Sequence, residues 1–271
     1  MIRSTLLFAA FSSVATAAIN VEEIRPAQDE DGLNAEVELG GTFKTGNLEY
    51  AQLATSAGAA YQAGPHMAFL ISSYTYAGKI SGSDLDSDLS LFDEEARYWN
   101  KGSAHMRYNY SFSDSMAVEL FSQVEFNEFL RLDLRTLGGL GLRTLLAESE
   151  NTTLYMGAGY MYEVESYNSS SVAEDDLEAT ANRATTYISL ESNPSDTNSG
   201  TLTAYFQPNI SDFSDYRAIV NAELEHKLSD NFALNISLSV RMDSDPPEVT
   251  EGNTHIRALD TVSSTAFSYE F

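Results

Sequence analysis

From Leu33 to the end of the chain, apolar and polar residues alternate with a period of two, in runs long enough to cross a lipid bilayer. That period belongs to a strand with one apolar face; an amphipathic helix repeats every 3.6 residues instead. The cleanest run sets Ala104, Met106, Tyr108, Tyr110 and Phe112 against Ser103, His105, Arg107, Asn109 and Ser111. The next sets Met116, Val118, Leu120, Val124 and Phe126 against Glu119, Gln123, Glu125 and Asn127. Twelve such segments can be read, the last from about His255 to Phe271, and most reach ten residues. Strands of globular proteins usually run to about five or six residues, whereas a tilted strand crossing a bilayer needs about 9–11. The expected fold is all-β: a closed, antiparallel transmembrane β-barrel of about twelve strands in an up-and-down meander.

The connections fall into two classes. Short turns are expected at Ala63 to His66, Ser113 to Ser115, Ala147 to Asn151, Asn193 to Ser199 and Ser229 to Asn231. The longest connections, Lys79 to Ala96, Ser166 to Ala179 and Ser244 to Thr254, fall at the opposite end. Membrane barrels have short inner turns and longer outer loops, so the long connections are expected to face outward.

Charge follows the alternation. Leu132, Leu134, Leu140 and Leu142 oppose Arg131, Asp133, Arg135 and Arg143. A cation facing the bilayer midplane costs about 2–4 kcal/mol, so these charges are expected inside the barrel. The expected lumen network consists of Arg107, Glu119, Glu125, Arg131, Asp133, Arg135 and Arg143, paired between adjacent strands. Gly138, Gly139 and Gly141 beside it permit bending or close approach inside the barrel.

The chain carries 40 acidic against 15 basic residues, a net charge of −25. Such a balance repels nucleic acid. Much of the acid is clustered, at Asp84, Asp86, Asp88, Asp93, Glu94 and Glu95 and again at Glu174, Asp175, Asp176 and Glu178. A solvated acidic surface is the expectation for both clusters; because carboxylates bind hard divalent cations through oxygen, weak divalent bridging to lipopolysaccharide phosphates is the alternative. The spacing lacks the glycine and final glutamate of an EF-hand, and no metal site is expected.

Met1-Ile2-Arg3, the apolar run from Leu6 to Val14 and Ala15-Thr16-Ala17 read as a cleaved secretory signal over 1–17. Residues 18–32 read as a polar periplasmic leader, and 33–271 as the barrel. With no cysteine, an exported chain cannot rely on disulfides. No later stretch approaches 18 consecutive apolar residues, so a transmembrane helix is not expected. Histidines 66, 105, 226 and 255 stand at no metal-ligand spacing. His226 alone lies in an outward row. Lipid-active barrel hydrolases place serine and histidine on the outer wall, but His226 sits beside Lys227 at the short-turn end and reads as an interfacial polar residue. No catalytic residue or cofactor is expected.

The chain ends Phe267-Ser268-Tyr269-Glu270-Phe271. A terminal Phe with aromatics two and four residues before it resembles the signal read by the barrel-assembly machinery of the outer membrane. Three stretches carry a wider likeness: Gly41-Thr42-Phe43-Lys44-Thr45-Gly46-Asn47; Tyr108-x-Tyr110-Ser111-Phe112-Ser113-Asp114; and Asn127-x-Phe129-x-x-Leu132-x-Leu134-Arg135-x-x-Gly138-Gly139-x-Gly141. Over roughly Leu33 to Phe271 the chain resembles the salt-induced outer-membrane protein family. The resemblance implies a barrel of the cell outer membrane and no chemistry, because that family's function is itself unsettled. Two roles are expected to compete, a structural barrel with a filled lumen in envelope or osmotic adaptation and a narrow diffusion channel. An outer-membrane lipid hydrolase ranks behind both.

Overall fold

A computed structural model describes residues 31–44, 50–78, 97–229, 231–249 and 256–269. The signal at 1–17, most of the leader, the acidic stretch at 84–95 and Phe271 lie outside the described residues. The strands are β1 (Gly32–Lys44), β2 (Tyr50–Ala63), β3 (His66–Gly78), β4 (Arg97–Ser113), β5 (Met116–Asn127), β6 (Leu132–Ser149), β7 (Thr152–Tyr167), β8 (Glu178–Ser195), β9 (Asn198–Pro208), β10 (Tyr216–Ser229), β11 (Phe232–Asp243) and β12 (Leu259–Tyr269). They form one sheet in which each strand pairs antiparallel with its sequence neighbours. Among the described residues, β12 pairs with β11 and has no second neighbour.

The short connections are tighter than the sequence predicts. β2–β3, β4–β5, β6–β7, β8–β9 and β10–β11 are each joined across two residues, while the opposite end carries connections of four to 18. The predicted turns at Ala147 to Asn151 and Asn193 to Ser199 shrink because their flanking residues continue the backbone ladder, as in Ser149↔Thr152 and Ser195↔Asn198.

The two faces are inverted relative to a water-soluble sheet. Leu120, Leu140, Leu142, Ile188 and Leu224 are each about half exposed or more on the convex face, whereas Arg135, Glu125, Glu163 and Ser189 are sealed on the concave one. Large contiguous apolar surface on a protein marks a contact with something other than water. Exposed aromatics lie toward both ends of the strands. Tyr108, Tyr110, Phe112 and the stacked pair Phe232–Phe267 stand at the two-residue-turn end; Tyr160, Tyr162 and Phe206 stand at the other.

The sheet curls strongly. Glu125 on β5 and Arg241 on β11 are six strands apart, roughly 29 Å across a flat sheet at about 4.8 Å per strand. Yet Arg241 Nη1 lies 3.7 Å from Glu125 Oε1. Likewise Arg217 on β10 reaches Glu165 on β7 at 2.8 Å, and Tyr187 on β8 donates to Glu119 on β5 at 2.7 Å. The concave face is therefore folded onto itself.

Candidate functional site

Glu163 is the centre of the interior. It sits on β7 between Tyr162 and Val164, whose side chains are exposed, and is itself 1% exposed. Arg135 Nε donates to its Oε2 at 2.9 Å, and Arg135 Nη2 donates to the same oxygen. Arg183 Nε donates to Oε1 at 3.1 Å, and Arg217 Nη1 donates to that oxygen too. Three arginines from β6, β8 and β10 thus converge on one carboxylate.

The cluster extends in both directions. Arg217 Nη2 bridges both oxygens of Glu165 at 2.8 and 3.0 Å, and Tyr167 donates its hydroxyl to Glu165 at 3.0 Å. Arg217 Nε donates to Asp243 at 2.9 Å, and Arg183 holds both oxygens of Asp215 at 2.9 and 3.2 Å. Glu125 lies 3.7 Å from Arg135 and the same distance from Arg241, with Lys101 in its field. Arg135, Arg183, Arg217, Arg241 and Lys101 stand against Glu125, Glu163, Glu165, Asp215 and Asp243, so the belt is neutral overall. Burying a charge without a partner costs several kcal/mol; here every carboxylate has an arginine within ion-pair distance.

A second layer lies toward the two-residue turns. Arg107 and Glu119 approach to 3.7 Å. The Arg107 guanidinium lies 5.6 Å from the Phe121 ring, and that of Arg143 lies 3.8 Å over Tyr155. The aromatics fit because the residue paired with each on the adjacent strand is a glycine: a Cβ on Gly139 would stand 2.3 Å from Phe121, and one on Gly157 would stand 2.0 Å from Tyr187. Gly141 and Gly159 face each other in register, and a Cβ on Gly159 would meet the Leu140 carbonyl at 2.3 Å. A cavity in this layer, lined by His105, Arg107, Tyr187, Tyr205 and Gln207 among others, measures about 30 Å³. That is room for one or two water molecules, not for an organic ligand. Beyond it the face is lined by hydroxyls, with Ser189 Oγ 3.3 Å from Thr203 Oγ1 and Ser239 donating to Asn221 at 2.8 Å.

Of the residues expected in the network, Arg107, Glu119, Glu125, Arg135 and Arg143 lie on the concave face within these two layers. Arg131 and Asp133 do not. Arg131 has a φ of 58° and ends the 3-10 turn Glu128–Leu130, and a β-bulge follows between Leu132 and Leu134. The extra residue reverses the alternation, so Leu132 is the buried one at 3% exposure and Asp133 is exposed. Gly138 is also exposed, unlike Gly139 and Gly141. The sequence reading missed Glu163 and Glu165, although they alternate with apolar neighbours as Glu125 does. Arg183 and Arg217 were readable as inward-facing, but not as partners of β7.

Two histidines outside these layers are held by neighbouring polar side chains. His226 Nδ1 lies 2.8 Å from the Asn198 side-chain oxygen, and His66 Nδ1 lies 2.6 Å from the Tyr108 hydroxyl. Phe267 is exposed, and Tyr269 pairs with Phe232 in the ladder. Among the described residues no group of three or more His, Asp or Glu is arranged to hold a metal ion. No described helix is long and apolar enough to cross a membrane.

A family model described as "Protein of unknown function, DUF481" matches residues 37–271. That description mentions no salt induction. No curated protein matches the chain. Among solved structures, the β domain of the Bordetella autotransporter BrkA is similar at 10% identity and a TM-score of 0.36, over 88% of this chain and 98% of that one.

Proposed function

The chain belongs to the DUF481 family of proteins of unknown function, and from that premise we propose that it is a closed β-barrel of the bacterial outer membrane with an occluded, charge-neutral interior. Its role on this reading is structural, in envelope or osmotic adaptation, and not catalytic. The observation that carries the reading is the inversion of the sheet: a half-exposed aliphatic surface outside, and Glu163 under three arginines inside. Lipid accepts the first, and an enclosed interior suits the second. Closure requires β1 to pair with β12, which removes the two free sheet edges. His226, beside Lys227 at the two-residue-turn end, is on this reading an interfacial polar residue.

Lipids and lipopolysaccharide are the proposed surroundings, with divalent cations bridging the acidic connections to lipopolysaccharide phosphates. The barrel-assembly machinery is the proposed reader of Phe267, Tyr269 and Phe271. A tag within residues 81–90 should label on intact cells and one at Ser113-Asp114 should not, with the protein in the outer-membrane fraction and heat-modifiable on gels. Recovery in the soluble periplasmic fraction would contradict the reading.

A narrow diffusion channel is the second reading. The hydroxyl-lined half of the interior favours it, since Glu191, Thr201, Glu223 and Ser237 are only partly buried there.

A further inference from the structure

Two buried side chains in the second layer have hydrogen-bonding atoms that their own contacts leave unused. His105 on β4 is 3% exposed and Gln207 on β9 is 4% exposed. Both line the cavity of about 30 Å³, which takes part of its wall from every strand from β4 to β9. His105 Nε2 and Gln207 Oε1 have no hydrogen-bond partner among the described residues. A polar atom buried without a partner is costly, and ordered water is the usual means of satisfying one.

The neighbours decide what each atom can bind. Gln123 Nε2 donates to Glu125 Oε2 at 3.3 Å, which turns the Gln123 amide oxygen toward His105. His105 Nδ1 lies 3.2 Å from that oxygen, so Nδ1 carries the proton of the contact. The neutral ring then presents Nε2 as a lone-pair acceptor. Gln207 Nε2 donates to Thr185 Oγ1 at 3.5 Å, which leaves Gln207 Oε1 as an acceptor as well. Two acceptors on opposite sides of the curled sheet thus meet one cavity.

We propose that this cavity is a binding site for a water-sized hydrogen-bond donor, and that its occupant is water held by His105 and Gln207. Size sets the first limit: one water needs about 10–15 Å³ of such space, so one or two fit. Hydrogen-bonding sense sets the second. A chloride ion has no proton to give to Nε2 or Oε1, although Arg107 is in the wall. Ammonium has the size and the donors, but charge disfavours it. Among the described residues, Arg107 in the wall and Arg143, which donates to the Tyr187 hydroxyl at 3.3 Å, outnumber Glu119. Water gives one proton to Nε2 and another to Oε1, from one molecule or from two side by side. The occupant ties β4 to β9 across the concave face and completes the filling of the layer beneath the belt. The site lies within β4 to β9 and is the same whether or not β1 meets β12.

Histidine-selective 15N labelling reads the site. The chain has four histidines, so His66→Gln, His226→Gln and His255→Gln together leave His105 alone in the spectrum. In heat-modifiable protein in micelles and ammonium-free buffer, Nδ1 should be protonated and Nε2 should be an unprotonated, hydrogen-bonded acceptor. The ring C–H protons should show cross-relaxation with a long-lived water. Gln207→Met keeps the side-chain volume and removes one acceptor, and should weaken that water signal several-fold. If Gln207→Met does not fold, the parent spectrum still separates a wet cavity from a dry one. A proton on Nε2, a free Nε2 lone pair with no water signal, or a water signal unchanged by Gln207→Met would overturn the proposal. An Nε2 resonance that titrates with added ammonium chloride would overturn the choice of water.

Discussion

At the long-connection end of the concave face, Arg135 and Glu163 are sealed and held by ion pairs; toward the two-residue turns of the same sheet, Ser189 and Thr203 are equally sealed and held by hydroxyl contacts. Both regions hide polar groups from solvent, by opposite means. Long charged side chains can cross a curled sheet, and each must find its counter-charge. Short hydroxyls cannot cross, and they satisfy one another between adjacent strands. The difference teaches where the interior is filled: occlusion belongs to the belt and to the aromatic layer beneath it, while the hydroxyl-lined end leaves Glu191, Glu223 and Glu225 only partly buried.

Removing Arg135 should therefore have the largest effect. Arg135→Ala leaves Glu125, Glu163 and Glu165 with fewer counter-charges in a sealed region, and breaking a buried pair from one side costs about 3–5 kcal/mol. Denaturant unfolding followed in micelles should show that loss. A change below about 1 kcal/mol would mean the belt is not the holding feature of its half.

The aromatic layer should respond next. Gly159→Ala puts a methyl 2.3 Å from the Leu140 carbonyl, and backbone cannot move aside as a side chain can. A loss of about 1–3 kcal/mol in the same unfolding measurement is expected from overpacking. An unaffected midpoint would show that β6 and β7 can separate there.

The hydroxyl end should respond least. Ser189→Ala removes one partner of a 3.3 Å contact to Thr203, and about 1 kcal/mol is expected for a neutral hydrogen bond. A loss as large as that of Arg135→Ala would erase the distinction between the two regions.

How much of this the sequence carries depends on distance along the chain. Twelve strands, their order and the outward rows are legible because a period of two is a local property of each segment. Arg107 with Glu119 and Arg135 with Glu125 are legible because adjacent strands set their register. The meeting of Glu163 with Arg217 is not, because it depends on how far the sheet curls, and no run of residues encodes curvature. Arg131 and Asp133 mislead for a different reason. A period of two carries no sign of the bulge at Leu132 to Leu134 that reverses it, although Arg131 lies at the only positive φ of any non-glycine residue among those described.

The central claim is that the belt blocks the proposed barrel, and planar-bilayer recording of the unmodified protein at neutral pH tests it directly. The account predicts insertion without steady conductance. A stable, ion-selective current through the wild-type protein would contradict it and favour the channel reading.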